Sequence, residues 1–374
     1  MNPKIRCLHI ASGDLWAGAE VQLFTLLTTF ASGSDVEPHA ALMNEGELAR
    51  RLRAAGIPVT VFDESRSGAL TLFKGLRQLI TKLRPQVIHT HRQKENVLGS
   101  IANTTSIGVP CVRTSHGSPE HRPKGLRNLH KLGFYTADRL CGTLLQSRIV
   151  AVSQTLAGEL EQHYSAQKIS IVENGVDVST LRTTAPASDI RGTAEEVHIG
   201  IVGRVEPVKR VDLFLGAARL LSEQSDAPWR FHVIGDGSLR AAMESTAASL
   251  GIADRVRFHG HRSDSASCLA ALDALIMCSD HEGMPMTPLE AICVGTPVVG
   301  HAVGGLNDLL AYEAGGLLVH DHSPRGYADA LLKLMTLDRT ALIERGRARI
   351  DQRFSAAHNA AQIAGIYRDL TDSR

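Results

Sequence analysis

A chain of 374 residues is long for one hydrophobic core and comfortable for two. Its 43% hydrophobic and 21% charged content excludes a disordered chain, and no run of about 18 apolar residues offers a membrane-spanning helix. The net charge of +1 hides an asymmetry: residues 1–185 hold 21 Lys/Arg against 15 Asp/Glu, and residues 186–374 hold 19 against 24. A basic first half fits an anionic acceptor or an acidic membrane surface, and equally a merely uneven surface charge. It leaves no nucleic-acid footprint, because aromatics are only 4% and no basic run is interleaved with them.

The opening MNPKIRCLHIAS lacks the apolar stretch and cleavage site of a secretory signal and reads as a first strand. The six cysteines show no CxxC pairing and are expected as buried, reduced thiols of a cytoplasmic protein. Strands are expected at Ile5–Ile10, His39–Met43, Val59–Phe62, Val87–His91, Cys111–Ser115, Ile149–Ser153 and Ile169–Glu173. Helical periods lie between them at Glu20–Phe30, Glu47–Ala55, Leu70–Leu83 and Leu156–Gln162. Asp177–Glu196 then lapses into a linker composition rich in Thr, Ala, Ser and Asp. A second series follows at Val197–Val202, Phe231–Ile234, Val256–Phe258, Ala274–Cys278, Pro297–Gly300 and Leu317–Val319. Continuous apolar strands alternating with helices build parallel sheets covered on both faces, so the fold class is α/β with two doubly wound domains. Ligands of such sheets bind beyond the carboxyl ends of strands, and the polar motifs follow strands.

The loop Ser12–Glu20 links the first strand to the first helix and holds Gly13 and Gly18, which allow close backbone approach. It is not GxGxxG, so it gives no dinucleotide fingerprint. His116-Gly117 closes the fifth strand and can set an imidazole against a ligand, although a lone His is more often structural. His89 and His91 also end a strand and are expected to line a cleft wall. After the first strand of the second series stands Gly203-Arg204-Val205-Glu206-Pro207-Val208-Lys209. Arg204 offers forked donors and Lys209 a point charge, a pair suited to a diphosphate. The fullest motif is Cys278-Ser279-Asp280-His281-Glu282-Gly283-Met284-Pro285-Met286-Thr287-Pro288-Leu289-Glu290. Here Thr287 is expected as N-cap and Pro288 as the first helical residue. Glu282 and Glu290 can accept from sugar or ribose hydroxyls, and amides near Gly283, Met284, Met286 and Thr287 can meet phosphate or sugar oxygens. Gly235-Asp236-Gly237 ends a further strand, and Phe258-His259-Gly260-His261 another, which could offer backbone groups, those of His261 included, to a base edge.

These motifs together resemble glycosyltransferase family 4, whose fold is GT-B. The resemblance is carried almost end to end by Ala17-Gly18-Ala19-Glu20, His116-Gly117, the run from Ile171 to Asp177, Gly203-Arg204 with Lys209, Gly235-Asp236-Gly237, and Glu282 with Glu290. It implies two Rossmann-like domains facing a central cleft. Residues 1–185 would be the acceptor-binding domain, with the C-terminal helix (about 355–374) packing back on it, and 186–354 the nucleotide-sugar-binding domain. It also implies that Arg204 and Lys209 hold the donor diphosphate and that Glu290 accepts the ribose hydroxyls. Glu282 would meet the transferred sugar, His116 would lie beside it near the anomeric centre, and Gly18 would approach donor or acceptor. Two departures stand out: Met284-Pro285 replaces Phe-Gly, removing one N–H, and Asn307-Asp308 stands where members often place a Glu.

The expected activity is retaining transfer of a hexose or N-acetylhexosamine from a nucleotide-sugar, UDP first and GDP-mannose second. The acceptor would be a glycan, a lipid-linked sugar or a small molecule, in polysaccharide or glycoconjugate biosynthesis. No cofactor and no metal are expected, since the chain has no D-x-D and two cations can replace the divalent ion. The polar loop His116–Gly125, with Arg127 and Lys131, forms an expected basic rim for the acceptor. The chain is expected in the cytoplasm, with peripheral contact to the inner membrane face allowed and the oligomeric state open. A sugar-nucleotide epimerase of the same fold and a non-catalytic nucleotide-sugar-binding module remain as alternatives.

Overall fold

The computed structural model describes residues 4–33, 35–117, 129–192 and 195–372. They form two compact units, one of Met1–Gly175 with Ala356–Arg374 and the other Val176–Ser355. The first holds β1 (Ile5–Ala11), β2 (Val36–Leu42), β3 (Val59–Val61), β4 (Val87–His91), β5 (Cys111–Ser115), β6 (Arg148–Ala151) and β7 (Ile169–Ile171). They pair in the order β3-β2-β1-β4-β5-β6-β7, all parallel. The second holds β8 (Val197–Val202), β9 (Trp229–Ile234), β10 (Val256–Gly260), β11 (Ala274–Met277), β12 (Val298–His301) and β13 (Gly316–Val319). Their order is β10-β9-β8-β11-β12-β13, again all parallel. Each sheet therefore reverses its direction of winding once, between β1 and β4 and between β8 and β11. Loops leaving those strands diverge and open a crevice.

Both sheets are buried on two faces, which is why every residue of β4 and β5 is buried. The helix Gly18–Ala31 shows how the covering layer is specified. Leu23, Leu26, Leu27 and Phe30 recur at helical spacing and are all buried in the core cluster of the first unit. Burial of each such side chain is worth about 1.5–3 kcal/mol.

The last helix, Ala356–Asp372, belongs to the first unit. It buries Ala360, Ile363, Ala364 and Tyr367 in the same cluster as Leu23, Leu26 and Phe30. Its Asn359 donates to the Glu173 carbonyl at 2.7 Å and accepts from Gln22 at 3.0 Å, and Gln22 accepts the Gly175 amide at 3.1 Å.

The units divide at Gly175/Val176, earlier than the expected change at 185/186. The segment expected to be a linker is structured. Asp177 caps the helix Val178–Arg182 through the Ser179 and Thr180 amides, and Arg182 pairs with Asp351 at 2.9 Å. Val176 also bridges to Ser355. All of these partners lie in the second unit.

Candidate active site

The switch point of the second unit collects the strongest motifs. A cleft there is lined by Gly203, Arg204 and Lys209 from the β8 side and by Met277, Cys278 and Ser279 from β11. After β8 the chain makes a single turn, Pro207–Lys209, and Arg210 follows in the left-handed region at φ 50° before the helix Val211–Gln224 begins. This conformation, uncommon for a residue with a side chain, is held by side-chain contacts: Arg210 Nε lies 3.0 Å from Asp212 and Nη1 3.1 Å from Asp280.

Three links stitch the β8 loop to the β11 loop. The Asp280 amide donates to the Val208 carbonyl at 2.9 Å, Arg210 donates to Asp280, and Lys209 Nζ lies 2.6 Å from Glu282 Oε1. Lys209 and Glu282 are both largely shielded, with side chains 24% and 9% exposed, so their attraction is little screened by water. Arg204 is exposed and has no carboxylate within ion-pair distance among the described residues. The open cation Arg204 thus stands beside the compensated Lys209 and Arg210.

Glycines fix the backbone of this rim. Gly235, at φ 142°, presses on the Gly203 carbonyl so closely that any Cβ would fall inside it. Gly304, at φ 51°, presses likewise on the carbonyl of Glu282, and the Gly305 amide donates to Gly283 O at 2.6 Å. The late glycine turn therefore buttresses the turn that carries Glu282 and Gly283.

The following helix is Met286–Val294 with Pro285 at the N-cap, which corrects the expected start. Thr287 is the second helical residue and Pro288 the third, where the missing N–H still costs nothing. Met284 and Met286 turn their side chains into the interior, so only their backbone can face a ligand. Glu290 lies more than one turn into the helix, and burial pushes its carboxyl up to about 7. His261 is exposed just past the edge strand β10 and is not among the residues lining the cleft.

At the switch point of the first unit, Gly18 opens the helix Gly18–Ala31 and Ala17 caps it without a side-chain bond. The first-turn Glu20 carboxyl turns back toward the Ala17 and Glu20 amides, so part of the free N–H set of that helix is already met. Arg92, at φ 68° just past β4, reaches back to this loop and donates to Glu20 at 2.5 Å and to Asp14 at 3.4 Å. His116 follows β5 and helps line a small cavity with His91, Thr114, Asn174 and Asn359. Desolvation lowers its imidazole to about 4, so it is neutral at ordinary pH. His89 is wholly buried and lines no cleft wall, a correction to its expected place; only His91 reaches the cavity. Of the expected basic rim, 118–128 and the Lys131 side chain lie outside the described residues.

His9, His89 and His91 bring their ring nitrogens within 4.8 Å of one another, a spacing open to a metal ion. Their rings are stacked, however, with His89 and His91 only 15° apart in plane, and His9 Nδ1 already pairs with His91 Nε2 at 3.1 Å. Parallel rings do not converge their lone pairs on one point, so this is a hydrogen-bonded stack.

Two family models divide the chain between them. The Glycosyltransferase Family 4 model matches residues 16–180 and the glycosyl transferases group 1 model residues 189–349. The D-inositol 3-phosphate glycosyltransferase of Thermobispora bispora is 30% identical over 380 residues, covering 95% of this chain and 86% of that protein. The chain belongs to glycosyltransferase family 4. An Escherichia coli UDP-Gal:alpha-D-GlcNAc-diphosphoundecaprenol alpha-1,3-galactosyltransferase is 29% identical over 312 residues, 79% of this chain and 78% of its own. Anabaena HepE, solved with UDP and glucose, superposes with a TM-score of 0.84 at 23% identity over 98% of this chain and all of that one, which places the fold as GT-B.

Several residues around the sites of this glycosyltransferase carry no motif of their own. Asp280 joins Arg210 to His322, whose Nε2 lies 3.0 Å away and whose ring stacks on His301 at 3.7 Å. Arg92, His9 and Tyr367 are likewise single residues in sequence. One signal was available: β1 and β4 each carry a mid-strand histidine, and these become register partners, His9 opposite His89.

Proposed function

We propose that this chain is a metal-independent, retaining glycosyltransferase that takes a hexose or N-acetylhexosamine from a UDP-sugar held by its second unit. The observation that carries this reading is the juxtaposition of Arg204 and the Lys209–Glu282 pair at the β8/β11 switch point. A departing nucleoside diphosphate gains charge in the transition state, and fixed cations aimed at it stabilise that charge, one well-placed donor being worth about 3–4 kcal/mol. Arg204 supplies a forked donor set and Lys209 a charge whose position Glu282 fixes. Glu290 accepts ribose hydroxyls, and the amides at the start of Met286–Val294 meet sugar or phosphate oxygens.

UDP is preferred to GDP because UDP-galactose names the donor of the Escherichia coli relative and UDP accompanies glucose in the Anabaena structure. The acceptor belongs to the first unit and is a glycan, lipid-linked or small-molecule hydroxyl. It attacks from the face that the diphosphate leaves, with a leaving phosphate oxygen taking its proton, so configuration is retained and no covalent enzyme intermediate forms.

The test is a donor screen by thermal shift and hydrolysis with UDP-glucose, UDP-N-acetylglucosamine, GDP-mannose and NAD, on wild type and Glu290→Ala. One nucleotide-sugar should stabilise and be consumed by the wild type, and the variant should lose that response. Full activity in excess chelator supports the metal-independent reading, and activity restored only by manganese rejects it. Donor isomerised without acceptor would make the chain an epimerase instead.

A further inference from the structure

The imidazole stack of the first unit is continuous with His116. His9 on β1, His89 and His91 on β4, and His116 after β5 stand side by side across neighbouring strands, with adjacent ring centroids 4.7–5.4 Å apart. Tyr367, wholly buried on the last helix, closes the far end. Its hydroxyl lies 2.5 Å from His89 Nδ1 and 3.2 Å from His9 Nε2. His9 Nδ1 then meets His91 Nε2 at 3.1 Å, and His91 Nδ1 meets His116 Nε2 at 3.1 Å. At the near end, His116 Nδ1 is buried without a hydrogen-bond partner among the described residues.

Burial keeps these rings neutral. A neutral imidazole has one donor and one acceptor nitrogen, so a chain of them must carry its protons in a single direction. The terminal tyrosine joins two of the rings, donating to one and accepting from the other. Only one direction leaves the unpartnered, buried His116 Nδ1 as a lone pair, whereas the reverse would strand an N–H there; in that direction Tyr367 donates to His89 Nδ1 at 2.5 Å and accepts from His9 Nε2–H at 3.2 Å. His89 then carries its proton on Nε2 and donates it to Thr114 Oγ1 at 2.7 Å. With its own proton given to His89, the Tyr367 oxygen accepts from His9 Nε2–H. His9 Nδ1 accepts from His91 Nε2–H, and His91 Nδ1 accepts from His116 Nε2–H. His116 is left with a bare Nδ1.

The second unit holds a similar ladder of opposite polarity, set by a group that can only donate. The Gly192 amide donates to His198 Nε2 at 3.3 Å, so His198 Nδ1–H meets His232 Nε2 at 3.0 Å and His232 Nδ1–H meets His259 Nε2 at 2.9 Å.

We propose that Tyr367 is a positioning residue of this transferase, which through His9 and His91 holds His116 as the Nε2–H tautomer and presents its bare Nδ1 as acceptor for a hydroxyl of a bound sugar. This rests on the reading that His116 faces a substrate. Loss of the Tyr367 hydroxyl removes the acceptor of the buried His9 Nε2–H and the preference for one direction, so the His116 proton is free to move to Nδ1.

The experiment uses full-length protein labelled with [15N]histidine and long-range 1H–15N correlation, with His116 assigned by His116→Ala. In the wild type, His116 Nδ1 should resonate as an unprotonated nitrogen. In Tyr367→Phe it should gain protonated character, and hydrolysis of the nucleotide-sugar selected by the donor screen should slow about tenfold, as losing an orienting partner typically does. Phe30→Leu is the control. It loosens packing on the Tyr367 and His9 rings, 6.1 and 6.4 Å away, while every hydrogen-bonding group of the chain keeps its identity, so it should lower the melting temperature and leave tautomer and turnover unchanged. A protonated Nδ1 in the wild type, or an unchanged His116 in Tyr367→Phe, overturns the proposal. A tautomer that changes while Tyr367→Phe and His116→Ala both keep wild-type turnover overturns the substrate-facing role of His116, and leaves the donor site of the second unit untouched.

Discussion

Lys209 and Glu282 are each other's counter-charge in a partly dry site, and this makes single and double replacements behave differently. Lys209→Ala strands the Glu282 carboxylate and, on the proposed function, removes one charge-assisted contact to the donor diphosphate, worth about 1.5–3 kcal/mol. The expected outcome is a dissociation constant for UDP raised roughly tenfold to a hundredfold, measured by calorimetry. Adding Glu282→Gln should recover folding stability without recovering affinity. Glu290 makes a second prediction, of pH dependence. Its folded carboxyl is raised from 4.5 to about 7 by burial. The ionised form is therefore penalised in the fold: stability is undiminished below pH 4.5, falls as pH rises toward 7, and stays reduced above it. Glu290→Gln escapes the penalty. It should match the wild type in stability near pH 4 and exceed it by about 1–3 kcal/mol at pH 8 in urea unfolding. An equal gap at both pH values would show that the carboxyl titrates normally.

The turns after β8, β9, β11 and β12 work as interlocked elements. Gly235 lies against Gly203, and Gly304 against Glu282, in both cases with no room for a Cβ. Gly235→Ala must displace the Gly203 carbonyl and adopt a φ near 142°, so a cost of roughly 2–4 kcal/mol is expected from overpacking and backbone strain. Gly251→Ala is the comparison, because Gly251 also has positive φ, at 70°, but meets nothing within 4 Å. Its cost should be strain alone, about 1–2 kcal/mol. Urea titrations of the two variants separate contact from conformation. Only Gly235→Ala should also weaken UDP binding.

Chain order and compact unit disagree at the C-terminus. The helix Ala356–Asp372 is the last element of the chain and part of the first unit, where Ile363 and Tyr367 join the core. Ending the chain after Ser355 should therefore loosen the first unit and spare the second. Hydrogen exchange should report lost protection in β1 and β4 with the β8–β13 amides unchanged. Uniform loss would mean that the units do not fold separately. The six cysteines are all buried and free, and burial raises every thiol. Among the described residues no helix is long and apolar enough to cross a membrane.

Local patterning was enough to place the strands, because continuous apolar runs between helical periods have few other uses in a parallel sheet. The same holds for Gly203-Arg204, Lys209 and Glu282: motifs that immediately follow strands are carried by the topology to the switch point. One boundary was missed for a local reason, and the other misses fall where the answer depends on partners far away. The start of Met286–Val294 moved because Pro285, not Thr287, supplies the cap, and boundaries are set by local backbone competition. The linker composition of Asp177–Glu196 concealed a segment tied through Arg182 to Asp351, 169 residues on. His9, His91, His116 and Tyr367 are scattered along the chain and share no motif. Strand register and the return of the last helix bring them within hydrogen-bond distance, and a proton's direction along such a chain is a property of the assembled contacts alone.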